Sequence, residues 1–424
     1  EKAAPGTYAG AQFNLGIAYY AQGKAQLNLG NTYKAQGKLD DAITAWKKVR
    51  EDAPETYADA QLNLGVIYYK DLAYKDKDED QRKLDEAIAA WSNIHREKAA
   101  PGTYAGAQLN LGEVYSLDKE KEEQSYEAYN NAQEFSYYKP ERGFKILKCP
   151  VEVRKNLHTV ADNTDEVLKY LQIIPAFESK VAHYTRPQIA FNLFGDEKNN
   201  KNPSNFRLNT IRGVNDPVEG LVLSNYWDQQ GIPETTYTND TATFVSCFTF
   251  NHDSLNQFRL YGKEGGREAT GVSLVFKKKF FNDQADTLDF IAGPSTDPSS
   301  KSEQIKPNET GKTESYNKKP LICKSTLYHC IYLDPETGYW NLAQRDKSTF
   351  YREHDEDTDA KEKWEKYYKL ISKKEECVEK YLFNKENNEI NSISLILKSI
   401  FTDENHPYNK YDKDEKQKIL EAIR

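Results

Sequence analysis

Apolar and polar positions along the chain follow two rhythms. Up to about residue 135 the apolar positions recur every three to four residues, which predicts helices. The six-residue pattern AQ(F/L)NLG ends at Gly16, Gly30, Gly65 and Gly112. Leu29-Gly30-x-x-Tyr33 predicts a first helix, and Ala42-x-x-x-Trp46, followed by Pro54, a second. The next unit repeats this as Leu64-Gly65-x-x-Tyr68, Ala87-x-x-x-Trp91 and Pro101. From about residue 180 to 346 the rhythm changes to runs of β-branched and aromatic residues between turn signals. Strands are expected at 181–184, 206–210, 243–250, 271–276 and 327–333, with a weaker one at 339–343. Residues 334–338 (DPETG) read as the hairpin joining the last two. Short helices are expected at 165–171 and 253–262, and longer ones at 357–371, 373–383, 393–400 and 416–423. The polar stretch 384–391 reads as a break, and 293–319 as a low-complexity surface loop.

The repeats are closely copied. The block EKAAPGTYAGAQ occupies residues 1–12 and recurs unchanged at 97–108. The step from Gly30 to Gly65 is 35 residues, near the period of about 34 in tetratricopeptide repeats. These residues resemble that family over roughly the first 135 positions. The steric logic is readable too. Gly30 and Gly65 let a second helix approach closely, Ala42 and Ala87 do the same from the other side, and Trp46 and Trp91 fill the space between. Aromatic stripes of this kind read as core. The step from Gly16 to Gly30 is short, which predicts a unit without its second helix. The step from Gly65 to Gly112 is long, which places an extended charged loop at 70–82. The resemblance implies a peptide groove, and within it Asn28, Asn63 and Asn110 as peptide-binding residues contacting the backbone of a protein partner.

Composition narrows the class. At 424 residues the chain has room for two or three domains. The expected organisation is α+β and multidomain. It comprises an all-α tetratricopeptide solenoid at 1–137, a helical linker at 138–178, and an α+β domain with a mixed sheet at 179–424, helical from 357. No run of about 18 apolar residues is present, so a membrane span is not expected. A net charge of −8 and a pI near 5.6 disfavour a dedicated nucleic-acid binder. Five cysteines leave one unpaired, which argues against a disulfide framework and for a reducing cytoplasm. Methionine is absent and Glu1 falls inside a repeat. Either methionines are missing from the sequence or the chain is an internal fragment, and the organisation of both ends favours a fragment.

The second half carries a further set of motifs in order. His183-Tyr184-Thr185 is followed by Asn215-Asp216-Pro217-Val218-Glu219, Ser246-Cys247-Phe248-Thr249, Phe258-Arg259-Leu260-Tyr261-Gly262, and Gly271-Val272-Ser273-Leu274-Val275-Phe276. This order resembles an uncharacterised bacterial domain family, with a more distant similarity to ADP-ribosyltransferase folds. The resemblance implies NAD as cofactor, His183, Tyr184, Arg259 and Tyr261 as catalytic residues, and Thr185, Phe248, Asn215 and Glu219 as cofactor contacts. The carboxylate that such chemistry needs would be Glu353, Glu356 or a residue beyond Arg424, because the family's late acidic motif is missing.

Plainer readings stand beside these. His183 reads equally as a strand histidine bonded to backbone, and Asp216-Pro217-x-Glu219 as a helix start. Arg259 reads as a phosphate ligand or as a partner of Asp216 or Glu219. Cys247 reads as a buried, inert thiol, and no metal motif is expected around Cys323, His329 and Cys330. The functional expectation is a protein-interaction adaptor joined to an effector-like domain, with a non-catalytic scaffold as the alternative.

Overall fold

The computed structural model describes residues 5–71, 77–134, 138–174, 176–178, 180–195, 202, 204, 206, 208–211, 220–233, 244–252, 254–261, 270–277, 327–354, 357–383 and 392–423. The expected features at Asn215, Asp216, Pro217, Glu219, Gly262, Cys323, Glu356, 293–319 and 384–391 lie outside them. The chain is mostly helical with small sheets. It divides into two units, Glu1–Ala161 with Pro407–Arg424, and Asp162–His406.

Unit 1 is built from helices in pairs. They are α1 (Pro5–Ala35), α2 (Leu39–Lys47), α3 (Pro54–Val66), α4 (Lys77–Ser92), α5 (Pro101–Ser116), α6 (Glu122–Gln133) and α7 (Tyr138–Leu147). Pro54 and Pro101 open α3 and α5, where a missing N–H costs nothing. Trp46 and Trp91 are fully buried, and their indole N–H groups donate to the carbonyls of Leu27 and Leu62, at 3.2 and 3.3 Å. A β-carbon on Gly30 or Gly65 would collide with those rings, so the glycine is what lets the paired helices close. Tyr129 does the same work farther along, wedged between Gly112 and Gly143, whose added β-carbons would meet its ring at 2.6 and 2.5 Å. The core joins Ala42, Trp46, Leu64, Ile67, Ala87, Trp91 and Leu111.

Several boundaries differ from expectation. The short step from Gly16 to Gly30 does hold no separate second helix, because α1 runs unbroken through Gly16, Gly23 and Gly30. Fourteen residues are close to four turns at 3.6 per turn, so Gly16 and Gly30 fall on one face of a single helix. The loop expected at 70–82 is helical from Lys77, supported by Gln81–Asp85 and Lys83–Glu86 contacts at 2.9 and 3.1 Å. The short helix expected at 165–171 is the end of α8 (Val151–Leu171). Arg154, near the start of α8, is buried. It donates to the carbonyls of Cys149 and Ser116, each at 2.8 Å, and pairs with Glu122 at 2.6 Å.

Unit 2 holds β1 (Lys180–Thr185), α9 (Pro187–Phe194), β2 (Asn209–Thr210), α10 (Val222–Asp228), β3 (Phe244–Val245), α11 (Leu255–Tyr261), β4 (Val272–Lys277), β5 (Ile331–Leu333) and β6 (Trp340–Leu342). It continues with α12 (Lys347–Glu353), α13 (Ala360–Val378) and α14 (Ile393–Thr402). Instead of the expected mixed sheet, the described strands form antiparallel pairs, β1–β4, β2–β3 and β5–β6. His183 stands opposite Leu274 in the first pair, and Thr249 bridges Ala182 on the other edge of β1. Asp334 organises the β5–β6 turn, with Gly338 at a φ of 68° as the left-handed residue it requires. The two helices expected at 357–371 and 373–383 are one helix, α13, followed by a wider turn at Glu379–Phe383. The helix expected to end the α+β domain, α15 (Lys413–Ile423), packs on α7 in unit 1.

The interior of unit 2 contains a polar network. Glu178 and His329 have fully buried side chains, with Nε2 of His329 3.1 Å from Glu178. Nδ1 of His329 donates to the Ala343 carbonyl at 2.6 Å. Glu178 also accepts from the Ile174 N–H and from the Tyr367 hydroxyl, which itself accepts from the Arg345 N–H at 2.8 Å. Burial and the adjacent Glu178 push the Tyr367 phenol up. Lys374 closes the end of α8 by donating to the carbonyls of Tyr170 and Gln172. Burial pulls its ammonium pKa down.

Candidate functional site

Two regions bring sequence-marked residues together, one in each unit. In unit 1 the first helices of successive pairs, α1, α3 and α5, carry matched positions at a spacing of four, four and three residues. On α1 these are Tyr20, Lys24, Asn28 and Asn31, on α3 Glu55, Asp59, Asn63 and Val66. On α5 they are Gly102, Gly106, Asn110 and Glu113. That spacing places each set on one helix face. None of these residues is buried, whereas Gly30, Gly65 and Gly112 on the facing side are.

The rows are stitched laterally. The Asn63 amide donates to Asn31 at 3.1 Å, tying α3 to α1. The Thr103 hydroxyl donates to Asp59 at 2.6 Å, tying α5 to α3. Asn28 is exposed, while Asn63 and Asn110 are half-buried. An amide side chain offers both a donor and an acceptor, the complement of an extended peptide backbone. Asn31, Glu55 and Asp59 belong to the same face and were missed by sequence reasoning. Asn31 is replaced by Val66 and Glu113 in the following repeats, so it leaves no periodic signal. A separate depression of about 230 Å³ opens between α2, α3 and α4, floored by Leu64, Tyr68 and Ala90.

In unit 2 the second region centres on β1. The Nδ1 atom of His183 lies 3.0 Å from the Cys247 carbonyl, which can only accept, so that nitrogen carries a proton and donates. The ring sits beside Phe206 and Phe248, at centroid distances of 5.2 and 5.6 Å. Tyr184 points to the other face of the strand. Its hydroxyl donates to the Asn251 carbonyl and accepts from the Ser254 N–H, both at 2.8 Å, and its ring meets Phe258 edge-on at 4.9 Å. It therefore ties β1 to the start of α11. Thr185 is buried, and Arg259 and Tyr261 are exposed on α11. Cys247, expected to be buried, is exposed. Glu353 at the end of α12 pairs with Arg345 and lies 3.6 Å from His252. The spacing of His252 from Glu353 in the sequence gave no sign of that approach.

A family model described as a TPR repeat matches residues 30–71, from the glycine of α1 that faces Trp46 to the end of the turn after α3. No curated protein and no solved structure matches the chain. The match makes the tetratricopeptide resemblance a finding for those residues, and such repeats generally bind protein partners. Nothing in the comparisons supports the bacterial-domain or ADP-ribosyltransferase likeness of the second half. No described helix is long and apolar enough to cross a membrane.

Proposed function

We propose that the chain is a protein-interaction adaptor, with the aligned faces of α1, α3 and α5 as the docking surface and unit 2 as the part brought to the partner. The observation that carries this reading is the repeat match at residues 30–71, followed along the chain by the α3–α4 and α5–α6 pairs of the same design. In this reading the array is a tetratricopeptide solenoid, and Asn28, Asn63 and Asn110 hold the backbone of a bound segment. The direct test changes all three to Ala in the full chain and compares partners recovered from lysate by quantitative pull-down. Because none of the three is buried, the helical content should stay unchanged by circular dichroism. Recovery should fall about tenfold, as expected from losing a few net hydrogen bonds. Unchanged recovery from a folded triple variant would refute the surface.

A further inference from the structure

The docking face just described is not chemically uniform, and the pattern specifies a kind of partner. On α1 it presents Ile17 and Tyr20, exposed at 53% and 47%, beside Lys24. On α3 it presents Glu55 and Asp59, and on α5 Glu113 beside Gly102 and Gly106. Apolar surface thus lies on the first helix and carboxylates on the next two. Asp59 is bonded to Thr103 through one oxygen and keeps acceptor capacity on the other. Lys24 repels a cation from the α1 row, which fixes where the partner's charges must sit.

We propose that this face takes an extended segment of a protein partner with one large apolar side chain and basic residues about three and seven positions away. This rests on the adaptor reading and goes beyond it by naming the partner's chemistry. The apolar side chain lies against Ile17 and Tyr20. The first cation faces Glu55 and Asp59, and the second faces Glu113. The spacing follows from geometry. Packed helices stand about 8–10 Å apart, and an extended chain advances about 3.3 Å per residue, so the step from Tyr20 across to Glu55 and Asp59 takes about three residues. Glu113 matches Val66, which lies seven residues, or about 10 Å, farther along the helix axis than Asp59, so the second step runs diagonally and takes about four. The chain's net charge of −8 attracts a basic segment from a distance.

The test measures fluorescence anisotropy of labelled alanine-based decapeptides on the full chain. One carries Leu with Lys three and seven residues later, one carries the same residues in reverse order, and one has Glu in place of both Lys. At least one Lys peptide should bind about tenfold more tightly than the Glu peptide, the preference falling as salt rises. The double variant Glu55→Lys with Glu113→Lys, at positions that are not buried, should invert the preference. Equal binding of all three peptides, or a preference for Glu, would overturn the proposed chemistry while leaving the adaptor reading intact. So would an absence of peptide binding, if recovery in the pull-down still depends on Asn28, Asn63 and Asn110. If that recovery is also insensitive to them, both readings fall.

Discussion

Cys149 shows how much one side chain's surroundings set its chemistry. It is 1% exposed at the turn before α8, and burial pushes its thiol up to about 12, against a modest opposing pull from Arg154. An unfolded cysteine titrates near 8.5. Between those values the unfolded chain sheds a proton that the folded chain keeps. The contribution of this group is therefore fully present below about pH 8.5 and is lost as pH rises toward 12, at up to ~1.4 kcal/mol per pH unit. Denaturation midpoints of wild type and Cys149→Ala, compared from pH 7 to pH 10.5, should show a steeper alkaline fall in wild type. Parallel curves would mean that the thiol is not sealed as described. Cys247 and Cys330 are exposed, so alkylation at pH 7.5 followed by mass spectrometry separates them from Cys149 in the same sample.

Among elements, the tightest constraint is the contact between a glycine of the first helix and an aromatic ring of the second. Gly65→Ala drives a methyl group into the Trp91 indole, which is fully buried and bonded to Leu62. The helices must part, at a cost of about 1–3 kcal/mol. Gly102→Ala, where no atom lies within 4 Å of the added carbon, should be neutral or stabilise by up to about 1 kcal/mol, because alanine is the better helix former. Urea denaturation of the two variants gives the comparison, and equal losses would contradict the packing.

That contact also explains what was legible in the sequence. Gly30, Gly65, Trp46 and Trp91 announce themselves because steric fit and repetition point the same way. The strands were readable as β-forming runs, but their lengths were not. Among the described residues, the runs expected at 206–210 and 243–250 pair with each other only at Asn209–Thr210 and Phe244–Val245, while Thr249 bridges Ala182 instead, because pairing depends on a neighbour that pattern does not reveal. Helix starts were partly recoverable. Asp412 and Glu415 cap α15 reciprocally, at 2.8 and 3.1 Å, in the spacing a capping box requires. The Glu178–His329–Tyr367 network left no local trace, since its members are far apart in the chain. At the candidate site, the recurring asparagines could be found by repetition, whereas Asn31 and the carboxylates of α3 could not.

For the molecule as a whole, the placement of α15 matters most. Ile419 on this helix is completely buried, and the helix packs on α7, so the far end of the sequence completes the unit that the near end begins. Ile419→Ala should cost about 2–4 kcal/mol. The loss should register in unit 1, as faster hydrogen exchange of the α7 amides than in wild type. Exchange changes confined to α13 and α14 would show that α15 supports a different part of the fold.

The same arrangement has a temporal side. Asp162–His406 is threaded between two stretches of unit 1, so a ribosome has finished α7 long before the helix that covers it emerges. At about 5–20 residues per second, the 245 intervening residues take on the order of 12–50 s to translate. Throughout that interval the nascent chain carries an unfinished apolar surface, on which a chaperone or a neighbouring nascent chain can act before the protein closes on itself.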